Sequence, residues 1–348
     1  MAASGQDIAT RSPFRRGGGR ETKMPSVVVT REIPEAGLRL VREAFSDVEV
    51  WADPLPPSPD ELAGLLRGRD GALTLLTDTI DGAVLDREPQ LKIVSNFAVG
   101  YDNIDVEAAT ARGVAVGNTP DTLTETTADF AFALLMAAAR RVTEGADYVR
   151  AGKWETWGPR LLLGRDVHGA TLGIVGFGRI GKEVAKRARG FGMELLATDA
   201  YEDPAAAAEF GITYVPLDEL LRRSDFVSLH VALTPETTGM IGAEAFAAMK
   251  PTAILINAAR GPVVDTGALV TALASGEIAG AALDVTDPEP IPADHPLLRL
   301  PNALVVPHIA SATVATRDRM AEMAARNLIS VLRGEPAPSI VNPEVLGR

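Results

Sequence analysis

The chain is 348 residues long, 46% hydrophobic and 23% charged, which describes a folded protein with material for about two domains rather than a disordered chain. Its 34 Lys and Arg against 46 Asp and Glu leave a net charge of −12, a field that repels phosphate backbones and anionic bilayers, so neither nucleic acid nor a membrane is an expected partner. There is no cysteine, which excludes disulfides, thiolate metal sites and thiol nucleophiles; no metal site is expected, and an anionic substrate needs a local positive site.

Residues 1–23 carry Arg11, Arg15, Arg16, Arg20 and Lys23 around three consecutive glycines, without apolar periodicity or a signal-peptide core. They read as a disordered tail, with Met24 as the functional start, and the chain reads as cytoplasmic. The longest apolar run, Ala128–Ala139, is interrupted by Asp129 and closed by Arg140-Arg141; it is too short for a membrane span and reads as a buried helix.

From Met24 the pattern alternates strand, turn and helix. Ser26–Thr30 is a β-branched strand, and Pro34 opens a helix with Leu38, Val41 and Phe45 on one face. The Asp- and Pro-rich turn Asp53–Pro59, a helix from Asp60, and strands at Ala72–Leu76 and Ile93–Ser95 follow. Asp105 caps a small helix and Val114–Val116 closes a first parallel unit of flavodoxin-like type. Thr122-x-x-Glu125 is a capping-box pattern ahead of a long apolar helix ending near Val142. After a looped stretch with Trp154, Trp157 and Pro159, a second run places strands at Thr171–Val175, Glu194–Thr198, Phe226–His230, Ala253–Asn257, Ala281–Val285 and Ala303–Val306. Each is a short apolar run, as expected where both faces of a parallel sheet are covered. The last helix, Arg317–Arg333, comes after this sheet is complete and is expected to pack back on the first unit. The fold class is α/β, with two Rossmann-like or flavodoxin-like parallel-sheet domains.

A glycine loop is the centre of the functional reading. In Gly176-Phe177-Gly178-Arg179-Ile180-Gly181 the GxGxxG spacing directly follows an apolar strand and opens a helix, the context that distinguishes a dinucleotide site from a mere tight turn. Gly176 permits the turn, Gly178 lets a pyrophosphate approach backbone, and Gly181 lets helix and strand pack closely, with the phosphates on free N–H groups at the helix start. Asp199 ends the next strand, roughly twenty residues further on. It suits the ribose hydroxyls and repels a 2′-phosphate, and no Arg or Lys follows within Ala200–Ala208, so NAD (NADH) is favoured over NADP.

Three ionisable groups lie just past later strands, where open α/β sheets bind ligands: Arg260, Glu289 and His308. An Arg for an anionic substrate, a His for a proton and a carboxylate to orient the His make a complete set for hydride transfer to a keto acid. Singly, each has a plainer reading, as a surface ion pair, a loop carboxylate or a turn histidine. Among the four histidines, His168 precedes a strand, His295 lies in a Pro- and Asp-rich loop, and His230 has no acidic neighbour in sequence. His308 alone joins a strand end to a small-residue turn, Ala310-Ser311-Ala312.

Taken in order, Val99-Gly100-Tyr101-Asp102-Asn103-Ile104-Asp105, the glycine loop, Asn257–Asp265, Gly280–Pro290 and Pro307-His308-Ile309 resemble the D-isomer-specific 2-hydroxyacid dehydrogenase family, in its glyoxylate/hydroxypyruvate reductase branch, from Met24 to Arg348. The resemblance implies a flavodoxin-like substrate-binding domain of residues 24–122 and 311–348, a Rossmann domain of residues 123–310, and an active-site cleft between them. It implies that Arg260 clamps the substrate carboxylate, that His308 is the general acid/base, and that Glu289 orients the imidazole. The backbone of Val99 and Gly100, with Asn96 nearby, would bind the carboxylate from the other domain. Arg179, Ile180, Val231, Ala258, Ala259 and Asp284 match cofactor-contact positions. Trp157 matches a tryptophan that reaches from the partner subunit into the pocket, so a homodimer is expected. Two features depart from the branch: Ala310 stands near the nicotinamide where relatives often have Gly, and Asp199 stands where NADPH-using members have basic residues. The competing functions are a phosphoglycerate dehydrogenase-type enzyme and an NAD-sensing binding protein of the same fold. A formate dehydrogenase does not fit, because relatives of that type replace the Glu.

Overall fold

The computed structural model describes residues 24–347, so the tail expected over residues 1–23 lies outside the described residues. Short β-branched and aliphatic runs become strands buried on both faces, and the helices between them cover the sheets. In the first unit, β1 (Ser26–Val29), α1 (Glu35–Ala44), β2 (Asp47–Val50), α2 (Pro59–Leu66), β3 (Gly71–Thr74), α3 (Gly82–Arg87), β4 (Ile93–Asn96), α4 (Val106–Ala111) and β5 (Ala115–Gly117) follow one another. They form a five-stranded parallel sheet in the order β2-β1-β3-β4-β5, the flavodoxin-like order.

Two helices lead out of it, α5 (Thr124–Ala139) and α6 (Val142–Arg150). The second unit then runs β6 (Thr171–Val175), α7 (Arg179–Arg189), β7 (Glu194–Thr198), α8 (Pro204–Phe210), β8 (Ile212–Tyr214), α9 (Leu217–Arg223), β9 (Phe226–Leu229), α10 (Ala243–Ala248), β10 (Ile254–Asn257), α11 (Thr266–Ser275), β11 (Gly280–Leu283) and β12 (Ala303–Val305). Its seven parallel strands are ordered β12-β11-β10-β9-β6-β7-β8, with the switch point between β6 and β9, where ligands of doubly wound sheets bind.

The chain then returns. The long helix α12 (Val314–Arg333) packs on α1, β3 and β4 of the first sheet, burying Met320, Ala321, Ala324, Ala325 and Leu328 in one cluster with Val27, Val29, Leu38, Val41 and Ile93. Contact with α1 is backbone-close: a Cβ on Gly37 would lie 2.4 Å from the carbonyl oxygen of Ala321. Buried Asn327 donates to the Asn118 carbonyl and accepts from the Ser339 amide, both at 2.9 Å, and Asn342 accepts the Val116 amide at 2.8 Å. These bonds stitch the C-terminal segment along β5.

Several expectations are corrected in detail. Thr122 does not cap α5; its hydroxyl donates to the Thr119 carbonyl at 2.8 Å, and Leu123 takes the cap position without a side-chain bond. The apolar helix ends at Ala139 rather than near Val142, because Arg141 adopts a left-handed conformation (φ 52°) and a new helix starts at Val142. The last helix begins at Val314, capped by the Thr313 hydroxyl, rather than at Arg317. Strands β2 and β8, absent from the sequence reading, are short edges of the two sheets. Asp47-Val-Glu-Val leaves its acidic side chains exposed and has no apolar run to announce it. Among the described residues, no helix is long and apolar enough to cross a membrane.

Candidate active site

The turn after β6 is shaped by its glycines. Gly176 sits at φ 92°, and a Cβ there would lie 2.7 Å from the His230 carbonyl carbon. A Cβ on Gly181 would lie 2.3 Å from the Gly176 oxygen, so α7 starts in backbone contact with the loop. Gly178 is different: a Cβ there meets nothing within 4 Å, and no side chain caps α7. Open space over unpaired helix-start N–H groups is what a pyrophosphate requires, so these residues fit the dinucleotide. Asp199 accepts the Phe177 amide at 2.6 Å and the Tyr201 amide at 3.0 Å, one on each oxygen, which fixes the carboxylate beside the loop and leaves each oxygen a lone pair for a ribose hydroxyl. Arg179 pairs with Asp121 at 3.0 Å; Ile180 and Val231 are half-buried on either side of the switch point.

The loops after β10, β11 and β12 support one another. Asn257 is buried, accepts the Ala259 amide at 3.0 Å and donates to the Arg260 carbonyl at 2.9 Å, folding Ala258 and Ala259 into a tight turn that projects Arg260. A Cβ on Gly261 would lie 1.9 Å from the Thr286 oxygen, which seats this turn on the loop after β11. Asp284 is buried, and its carboxylate accepts the amides of Ile309 at 2.7 Å and Ala310 at 2.9 Å, while its carbonyl accepts the His308 amide at 2.8 Å. Burial pushes the Asp284 carboxyl up, against the pull of those two amides and of the His308 charge. Held this way, His308 takes a left-handed backbone (φ 52°) that costs a non-glycine residue energy, and its Nδ1 lies 2.6 Å from Glu289 Oε1.

From the first unit, the loop after β4 faces this assembly. Asn96 is buried and ties the loop internally, donating to the Gly100 carbonyl and to Asn103 Oδ1, both at 3.0 Å. The Val99 carbonyl accepts from Asn118 at 2.9 Å. Among the described residues, the N–H groups of Val99 and Gly100 have no protein acceptor. The Arg260 guanidinium reaches this same loop: a Cβ on Gly100 would lie 1.7 Å from its Nη2, and its Nε donates to Asp102 Oδ1 at 2.9 Å. Arg317 adds a second cation. Its guanidinium stands 5.9 Å from the centre of the Phe97 ring, and burial pulls it below its ordinary value, partly opposed by Asp284. Trp157 lies elsewhere, on the loop after α6, with 78% of its surface exposed.

The structure thus brings Arg260 to Gly100, and His308 to Glu289. Sequence reading missed Asp102, Asn257 and Arg317. Asp102 lies inside the Val99–Asp105 motif, but nothing in that motif tells which of its two acidic residues meets Arg260.

The profile of the D-isomer specific 2-hydroxyacid dehydrogenase NAD-binding domain matches residues 132–310. A glyoxylate reductase of Korarchaeum cryptofilum is 57% identical over 323 residues, covering 92% of this chain and 97% of its own. The chain belongs to the D-isomer specific 2-hydroxyacid dehydrogenase family. Solved structures agree with this. A Thermus thermophilus protein superposes with a TM-score of 0.85 at 48% identity, covering 91% of this chain and 99% of its own. An NADPH-dependent glyoxylate/hydroxypyruvate reductase of Sinorhizobium meliloti, in complex with NADP and malonate, gives 0.81 at 34% identity, covering 91% and 96%. As a D-2-hydroxyacid dehydrogenase the chain is an NAD-dependent enzyme, and the glycine loop with Asp199 is where its cofactor domain carries the features a dinucleotide needs.

Proposed function

We propose that this enzyme reduces glyoxylate or hydroxypyruvate to the 2-hydroxy acid with NADH. The observation that carries the reading is convergence: Arg260 from one unit reaches Gly100 and Asp102 on the other unit's loop, where the N–H groups of Val99 and Gly100 have no protein acceptor, while the His308–Glu289 pair stands on the same strand-end edge as the glycine loop. In this reading the substrate carboxylate is held by Arg260 and the two amides, since a planar guanidinium with several donors matches a carboxylate. When bound, the cofactor would supply the hydride equivalent for the carbonyl carbon. Glu289 holds Nδ1–H, so the protonated His308 presents Nε2–H to the carbonyl oxygen, donates that proton as the alkoxide forms, and is left neutral; oxidation runs the same transfer backwards. Asp199 disfavours a 2′-phosphate and selects NADH.

The proposal includes a division into a substrate unit, residues 24–122 with 311–348, and a cofactor unit, residues 123–310. It also includes a homodimer, supported by the exposed apolar side chains of Val142, Val149, Trp154, Trp157 and Leu163 along α6 and the loop after it, in which Trp157 enters the partner's pocket. The test is turnover of glyoxylate, hydroxypyruvate and phenylpyruvate with NADH and with NADPH, followed by loss of reduced-nicotinamide absorbance. Preference for the small acids with NADH is expected. Absence of turnover on either small acid would overturn the proposal.

A further inference from the structure

We propose that Asp102 is a positioning residue for Arg260: it grips the Nε side of the guanidinium from across the cleft, so that the remaining N–H groups are presented to the substrate only when the two units are together. The inference rests on the reading of Arg260 as the carboxylate clamp. An arginine head carries five N–H donors. Asp102 takes Nε–H at 2.9 Å, and the carbonyl of Ala259 takes one Nη1–H at 2.9 Å. What is left is Nη2, seated against Gly100, and one N–H of Nη1. Nη2 thus stands at the loop that carries the free amides of Val99 and Gly100, a set of donors from both units that a carboxylate can bridge.

Asp102 is suited to aim another group because it is itself held still. The Ile104 amide bonds back to the Tyr101 carbonyl at 2.9 Å, closing the turn that carries it. The next residue, Asn103, donates to the carbonyls of Leu75 at 3.1 Å and Asp78 at 2.8 Å and accepts from Asn96. The turn is therefore pinned to the loop after β3 and to the loop of Val99 and Gly100. Arg260 stands on the other sheet, at the end of a long flexible side chain whose freedom must be lost when substrate binds. An ion pair that spends this freedom beforehand favours capture, and because its partners belong to different units it ties the aim of Arg260 to closure of the cleft. Asp102 is about one-third exposed and Arg260 about one-quarter. As a bare surface ion pair this would contribute little; its consequence lies in geometry, in which edge of the guanidinium remains free.

The test compares Asp102→Ala, Asp102→Asn, Arg260→Gln and the double variant Asp102→Ala/Arg260→Gln, each measured for kcat and KM with glyoxylate, for NADH affinity by fluorescence, and for thermal stability. Asp102→Ala should lower kcat/KM roughly 10–100-fold, the size expected for a charge-assisted hydrogen bond, mostly through KM, with NADH affinity unchanged. Asp102→Asn keeps an acceptor oxygen in place and should recover part of the loss, which a purely structural role read out in melting temperature would not explain. In the Arg260→Gln background, loss of Asp102 should cost nothing further, because the group it aims is gone. Wild-type kinetics for Asp102→Ala, or losses that simply multiply in the double variant, would overturn the inference while leaving Arg260 as the clamp. If Arg260→Gln alone keeps normal glyoxylate kinetics, the clamp reading itself fails, and the single variant makes that visible separately.

Discussion

His230 gives a quantitative test of how the cofactor loop is built. It follows β9 at the switch point, and its backbone carries the close contact with Gly176. Its Nε2 shares a hydrogen bond with the Ser228 hydroxyl at 2.8 Å, while its Nδ1 is buried without a partner. Burial therefore pulls its pKa from 6.5 to about 4. The sign follows directly. The folded state resists protonation, so the contribution is fully present above 6.5 and is lost as pH falls toward 4. A tenfold difference in proton affinity is worth about 1.4 kcal/mol, so the whole gap corresponds to about 3 kcal/mol. The assay is urea unfolding of the wild type and His230→Asn at about pH 7.5 and about pH 4.5. Carboxylates such as Asp284 titrate in both proteins and cancel in the comparison. The wild type should lose roughly 2–3 kcal/mol more than the variant between the two conditions. Equal losses would mean that the imidazole is solvated or finds an acceptor for Nδ1–H, and would refute the reasoning.

Three further outcomes are expected. His308→Ala should lower kcat by roughly 10²–10⁴-fold with NADH affinity nearly intact, and a near-normal kcat would show that another group carries the proton. Asp199→Ala should narrow the preference for NADH over NADPH in kcat/KM, and wild-type activity greater with NADPH would remove the basis for that role. Trp157→Ala should raise activity on phenylpyruvate relative to glyoxylate in an intact dimer, checked by sedimentation; an unchanged ratio would place the indole outside the pocket.

The strongly patterned parts of this protein were legible without coordinates. GxGxxG between an apolar strand and a helix declares its own geometry, because a positive φ at Gly176 and helix–loop contact at Gly181 are demands on the residues themselves. The central strands announce themselves because burial on both faces forces continuous apolar runs, and the position of Arg260, Glu289 and His308 past strand ends follows from where such strands stop. Edge strands β2 and β8 carry no such constraint, since one side of each faces no neighbour. The start of α12 at Val314 is set locally by the Thr313 cap, a signal the apolar pattern does not carry, and the helix break at Arg141 is a single left-handed residue that no periodicity announces. What only the tertiary structure decided is the partnership of distant polar groups. Asp284 bonding to the amides of Ile309 and Ala310, Asp102 meeting Arg260, and Arg317 standing over Phe97 join residues far apart in the chain, and the Asp102–Arg260 pair joins the two units. A side-chain hydrogen bond depends on distance and direction between particular atoms, and no periodicity or spacing along the chain encodes either once two sheets must first be folded and brought face to face.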